Sequence, residues 1–92
     1  MTQDRVVRSV RIGDPQGLHL RQAAECARAA ARYHCQIVLT HGDRRAVNCR
    51  SPFDILQLGA AYGAEVVIEA VGPDAGKAVE ELAAILTRAD PE

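Results

Sequence analysis

Two spacings of apolar residues take turns along this chain, and their alternation limits the folds open to it. Arg5 to Ile12 reads as a strand, with Val6, Val10 and Ile12 on one face and Arg8 breaking the pattern as an edge position allows. The run "GDPQG" is a loop by its Gly and Pro content. From Leu20 to Tyr33, the residues Leu20, Ala23, Ala24, Ala27, Ala30 and Ala31 recur at helical spacing. Alanine is the best helix former and is small enough to let a helix lie close on a sheet. The segments "QIVLT" and "AVNC", separated by "HGDRR", read as a β-hairpin. Ser51 before Pro52 is a helix start, with Ser as N-cap and Pro at the first helical position. The short helix that follows carries Phe53, Ile55, Leu56 and Leu58, and Gly59 ends it. Glu65 to Val71 is a strand with Val66, Ile68 and Ala70 inward, and "GPD" breaks the chain. Asp74 can cap a last helix, whose stripe is Ala78, Val79, Leu82, Ile85 and Leu86.

The predicted order is β-α-β-β-α-β-α. Two halves of this kind fold as an α+β open-faced sandwich, a four-stranded antiparallel sheet with three helices on one face. The other face is left to solvent. Without a parallel run of strands, no nucleotide crevice is expected.

Size and composition narrow the function. A chain of 92 residues fits one domain, 1–92. A domain of that size buries roughly 60–65% of its unfolded surface, which is one core and no deep enclosed active site. The net charge of −1 provides no strong field toward nucleic acid or anionic lipid. Three aromatic residues, none of them Trp, offer too little stacking surface to point to a base-binding face. No run approaches the length of a membrane span and no signal peptide is visible, so a cytoplasmic protein is expected. Cys26, Cys35 and Cys49 are odd in number and lack a CxxC pair, which reads as small buried thiols, with no disulfide framework and no metal. Asp14, Asp43, Arg44 and Arg45 read as surface charges. His34 reads as a residue at a helix end and His41 as one in a hairpin turn.

The run "GLHLRQAA", Gly17 to Ala24, is different. It places His19 at the start of the first helix, where the first backbone N–H groups have no partner within the helix. Those groups and the helix dipole make an anion site. A positive ring is disfavoured there by about 0.3–1 kcal/mol when exposed, so the position suits a neutral, nucleophilic imidazole. If that ring accepted a phosphoryl group, the new charge would fall among the amides, and the guanidinium of Arg21 could join it. Neither state is trapped, which suits reversible transfer. No Ser-His-Asp set, glycine-rich phosphate loop or paired carboxylates point to a self-sufficient enzyme.

At these residues the chain resembles the phosphocarrier HPr family of the bacterial phosphotransferase system. The family's active-site run is GLHxRPAA, against "GLHLRQAA" here. "SPFDILQLG", "GAEVVIEA" and "KAVEEL" resemble three further family segments in the same order. The resemblance implies that enzyme I, drawing on phosphoenolpyruvate, phosphorylates His19. A sugar-specific or regulatory IIA domain then receives the phosphoryl group. It implies a phosphate site at His19, Leu20 and Arg21, and a partner surface of Leu20, Arg21, Ala24, Phe53 and Leu56. It also implies a regulatory serine at Ser51, the target of a serine kinase and phosphorylase in some bacteria. No cofactor is implied, and a monomer is expected. Two other readings stand beside sugar uptake: a nitrogen-related or other regulatory phosphotransfer chain, and a binding-only module of the same fold. Gln22 departs from the family's proline, and two opposed effects follow: a freer backbone loosens the site by about 0.4–1 kcal/mol, and the restored N–H is a further donor for a phosphate oxygen.

Overall fold

A computed structural model describes residues 4–89, so the first and last three residues of the predicted 1–92 domain lie outside the described residues. Seven elements follow in order: β1 (Arg5–Arg11), α1 (Leu20–Ala31), β2 (Gln36–His41), β3 (Arg44–Ala46), α2 (Pro52–Leu56), β4 (Glu65–Val71) and α3 (Ala75–Thr87). The strands form one antiparallel sheet in the order β1-β4-β2-β3. This is the expected open-faced architecture, and Arg8 does lie on an edge strand.

The core follows from strand alternation. Val66, Ile68 and Ala70 of β4 and Ile37 and Leu39 of β2 are buried on the helix-covered face. Their neighbours Val67, Glu69 and Val38 stay partly exposed on the other. All five residues predicted for the α3 stripe are buried. Cys26, Cys35 and Cys49 are buried as well. Desolvation is the main cause that pushes the Cys26 thiol up to about 12 and the Cys49 thiol up to about 11, so both remain protonated, inert packing groups.

Several boundaries differ from the sequence reading. The hairpin pairs His41 with Arg44, which leaves only Gly42 and Asp43 as its loop. Gly42 has φ +60°, as a two-residue hairpin with glycine first requires. The third strand is therefore Arg44–Ala46, and Val47 to Cys49 of the predicted "AVNC" strand lie beyond it. His41 accordingly sits at the end of β2 rather than in the turn, with Nδ1 3.1 Å from the carbonyl oxygen of Glu65. Helix α1 stops at Ala31, short of Tyr33. The N–H groups of Arg32 and Tyr33 donate to Ala29 and Ala30, three residues back, which tightens the last turn. His34 is an exposed residue past that turn. The buried face of α1 is also rotated from the predicted stripe: Gln22, Ala23, Cys26, Ala27, Ala29 and Ala30 are buried, while Leu20 and Ala31 are exposed. Asp74 occupies the N-cap position of α3 but makes no side-chain cap bond, its backbone lying outside the extended region that aims such a bond.

Ser51 does cap α2, its Oγ accepting from the Asp54 N–H at 3.4 Å, with Pro52 at the first helical position. Replacing Ser51 with alanine removes that acceptor. The expected loss is about 0.5–1 kcal/mol, the low end for a cap because the bond is long, read from the urea midpoint.

Candidate functional site

The site is built from a turn, a helix start and the loop behind them. In "DPQG" the Asp14 carbonyl accepts from the Gly17 N–H at 2.8 Å, closing a four-residue turn. Asp first, Pro second and Gly fourth is the residue pattern that favours such a turn. Gly17 adopts φ +81°, and a Cβ there would stand 3.0 Å from the Ala60 carbonyl oxygen. The Leu18 N–H donates to that same carbonyl at 2.9 Å, which seats the helix start against the Ala60–Tyr62 loop.

His19 is then the N-cap of α1, in extended backbone conformation, as the sequence predicts. Its Nδ1 accepts from the Arg21 N–H at 3.4 Å. The first i→i−4 bond of the helix runs from Ala23 N–H to the His19 carbonyl at 3.0 Å. The N–H groups of Leu20, Arg21 and Gln22 thus have no intrahelical acceptor four residues back. The ring is partly open, with 31% of its side-chain surface exposed. Arg21 and Leu20 are exposed beside it, Ala24 is half-buried, and Phe53 and Leu56 of α2 follow, the first exposed and the second half-buried. Helix α1 packs on α2, which brings the five residues of the predicted partner surface onto neighbouring elements. Val47 and Tyr62 are further exposed apolar residues that the sequence did not single out.

One expectation at the site is overturned, and one residue has a role the sequence reading lacks. Asp14 is no surface charge: it is 4% exposed. Its Oδ1 accepts from the Gln16 N–H at 2.8 Å and its Oδ2 from Gln22 Nε2 at 3.1 Å. Its Oδ2 also stands 3.7 Å from His19 Nε2. Gln22 is buried, and its side chain ties α1 to the turn before it. A signal for both was present. An Asp that opens a turn bonds the N–H two residues on, which fixes its side chain. Gln22 lies three residues after His19, hence on the same helix face.

The site is thus a partly open ring whose Nδ1 meets a helix N-terminal amide, at the surface of an open-faced sandwich. The chain belongs to the PTS HPr component phosphorylation site family, whose model matches residues 6–88. The relatives that share this family are phosphocarriers of the phosphotransferase system. The chain is 36% identical over 78 residues to the phosphocarrier protein HPr of Buchnera aphidicola subsp. Acyrthosiphon pisum, covering 85% of this chain and 91% of that one. To the phosphocarrier protein HPr of Vibrio cholerae it is 35% identical over 79 residues, covering 86% and 92%. The crystal structure of a phosphocarrier protein HPr from Bacillus anthracis superposes with a TM-score of 0.81 at 32% identity, covering 89% of this chain and 96% of that one. Among the described residues no helix is long and apolar enough to cross a membrane.

Proposed function

We propose that His19 accepts a phosphoryl group on Nδ1 and hands it on. What supports this most directly is one observation: Nδ1 faces the Arg21 N–H at the start of α1 while the ring remains partly open to a partner. When phosphorus takes the Nδ1 lone pair, that N–H and its neighbours lie next to the new oxygens, where a helix N-terminus favours negative charge. Arg21, exposed in the first turn, adds a guanidinium from the solvent side. In this reading the donor is enzyme I, charged by phosphoenolpyruvate, and the acceptor is a IIA domain in sugar uptake. Both dock on Leu20, Arg21, Ala24, Phe53 and Leu56. The protein works as a monomer in the cytoplasm and needs no cofactor. Ser51, whose hydroxyl caps α2, is the place where a serine kinase would act. A phosphate there sits at a helix start that tolerates it, so it alters docking rather than the fold.

The test is transfer itself. Incubation with phosphoenolpyruvate and enzyme I is expected to add one phosphoryl group per chain, acid-labile and base-stable, on the peptide that contains His19. A chain that takes no label, or takes it on another residue, refutes the reading.

A further inference from the structure

The buried carboxylate behind His19 has no part in the carrier reading so far, and its geometry gives it one. Asp14 Oδ2 faces His19 Nε2 at 3.7 Å, outside hydrogen-bond range yet close enough for a small ring rotation to close. The opposite nitrogen, Nδ1, faces the Arg21 N–H. The two ring nitrogens therefore meet opposite partners: an acceptor at Nε2 and a donor at Nδ1. A neutral imidazole satisfies both in only one way, with its proton on Nε2 and its lone pair on Nδ1. The carboxylate is itself held. Gln22, at 2% exposure, donates Nε2 to the same Oδ2, and the Gln16 N–H holds Oδ1. Oδ2 can accept from both Gln22 and His19, because an ionised carboxylate oxygen takes two donors. The Gln22 amide is turned so that its Oε1 is left without a hydrogen-bond partner. A buried acceptor without a partner is costly, so the contact with Asp14 has won over the amide's other end.

Resting on His19 as the phosphoryl acceptor, we propose that Asp14, held by Gln22, is a positioning residue that keeps the His19 proton on Nε2 throughout the transfer cycle. The Nδ1 lone pair forms the N–P bond, and the donor's bond to phosphorus breaks with its electron pair leaving on the donor. The ring keeps its Nε2 proton and so gains one positive charge. The Asp14 carboxylate faces that proton from the side of the ring away from the phosphoryl group and offsets the charge. On onward transfer the N–P electron pair returns to Nδ1, and the ring departs as neutral imidazole. If Nε2 had lost its proton, the ring would have to leave as an imidazolate, a far poorer leaving group. Asp14 thus keeps the bound phosphoryl group transferable.

The experiment compares the full chain with Asp14→Asn and Gln22→Met. Ring 15N shifts of His19 report the tautomer directly, and quench-flow labelling reports the rate of transfer. The natural chain is expected to show a single tautomer with the proton on Nε2. Asp14→Asn is expected to give a mixture of tautomers and transfer about tenfold slower, since a charge-assisted contact becomes a neutral one. Gln22→Met, which leaves the carboxylate in place but held through Oδ1 only, is expected to shift both readouts the same way by about threefold. If Asp14→Asn fails to fold, Gln22→Met carries the same pair of readouts. Unchanged tautomer and rate in the folded variants overturn the proposal and leave Asp14 as a turn residue only. Failure of the carrier reading looks different: the natural chain itself takes no label on His19.

Discussion

His19→Ala takes up no phosphoryl group from any donor, yet folds as the natural chain does. The first half follows from chemistry. Alanine has no lone pair to offer, and the other two histidines stand elsewhere: His41 at the end of β2, with Nδ1 at the Glu65 carbonyl, and His34 past the end of α1. Neither is the N-cap of a helix. The second half follows from energetics. The His19 ring is partly exposed and contributes one long cap bond of 3.4 Å, so its loss costs about 0.5 kcal/mol, the low end for a cap. His19→Asn separates the two effects further. Asparagine is among the best N-caps, so that variant is expected to be at least as stable as the natural chain and still to take no label. Label remaining in either variant, read by acid-labile 32P, moves the acceptor away from this ring. A variant that loses both label and fold would mean that His19 carries structure rather than phosphate.

The strands and helices were legible wherever the pattern of large apolar residues was strong. Glu65–Val71 and the buried stripe of α3 match the reading residue for residue, because Val, Ile and Leu carry an unambiguous period. The phase of α1 was harder to read. Its apolar residues are mostly alanine, which buries little area whichever way it faces, so Gln22 turns inward without a hydrophobic signal to announce it. The third strand was misplaced for a related reason. Its register is set by the two-residue loop at Gly42 and Asp43, so Arg44 and Arg45 are paired while the more strand-like Val47 is left outside.

At the site the division is similar. His19 was legible because its role needs only local structure: a helix start, orphan amides and a ring in reach of them. Asp14 was not, because its role depends on a meeting between a turn and a helix face eight residues later in the chain. An aspartate in a Gly- and Pro-rich loop reads as a surface charge, whereas its Oδ1 in fact accepts from the Gln16 N–H. The second oxygen, aimed at Gln22 and His19, is a tertiary fact. Gln22 reads as the loss of a proline, judged by its backbone freedom and its restored N–H. Its side chain decides what it does.

Gly13→Ala is expected to be the most damaging single methyl in the chain, while the same change at Gly76 stabilises it. A Cβ on Gly13 would lie 1.8 Å from the Thr87 carbonyl oxygen and 2.5 Å from its carbon. That neighbour is backbone at the end of α3, so it cannot swing aside as a side-chain tip can. The Gly13 N–H donates to the Leu86 carbonyl at 3.0 Å, and Leu86 is 1% exposed in the core. To admit the methyl, the last turn of α3 must move out, stretching that bond and unpacking Ile85 and Leu86. The expected cost is about 3 kcal/mol, the upper end for overpacking with a disturbed buried hydrogen bond. In a domain of this size that lowers the melting temperature by roughly 12–24 °C. Gly76 is the matched control. It lies in the first turn of α3 with open space around a Cβ, so alanine there gains about 0.5–1 kcal/mol from helix propensity. Urea unfolding of the two variants is expected to move the midpoint in opposite directions with similar slopes. Because Asp14 follows Gly13 directly, the Gly13 variant should also transfer phosphate more slowly at temperatures where it remains folded, whereas the Gly76 variant should not. A Gly13→Ala chain as stable as the natural one would mean that the site turn and the end of α3 do not meet as closely as 1.8 Å requires.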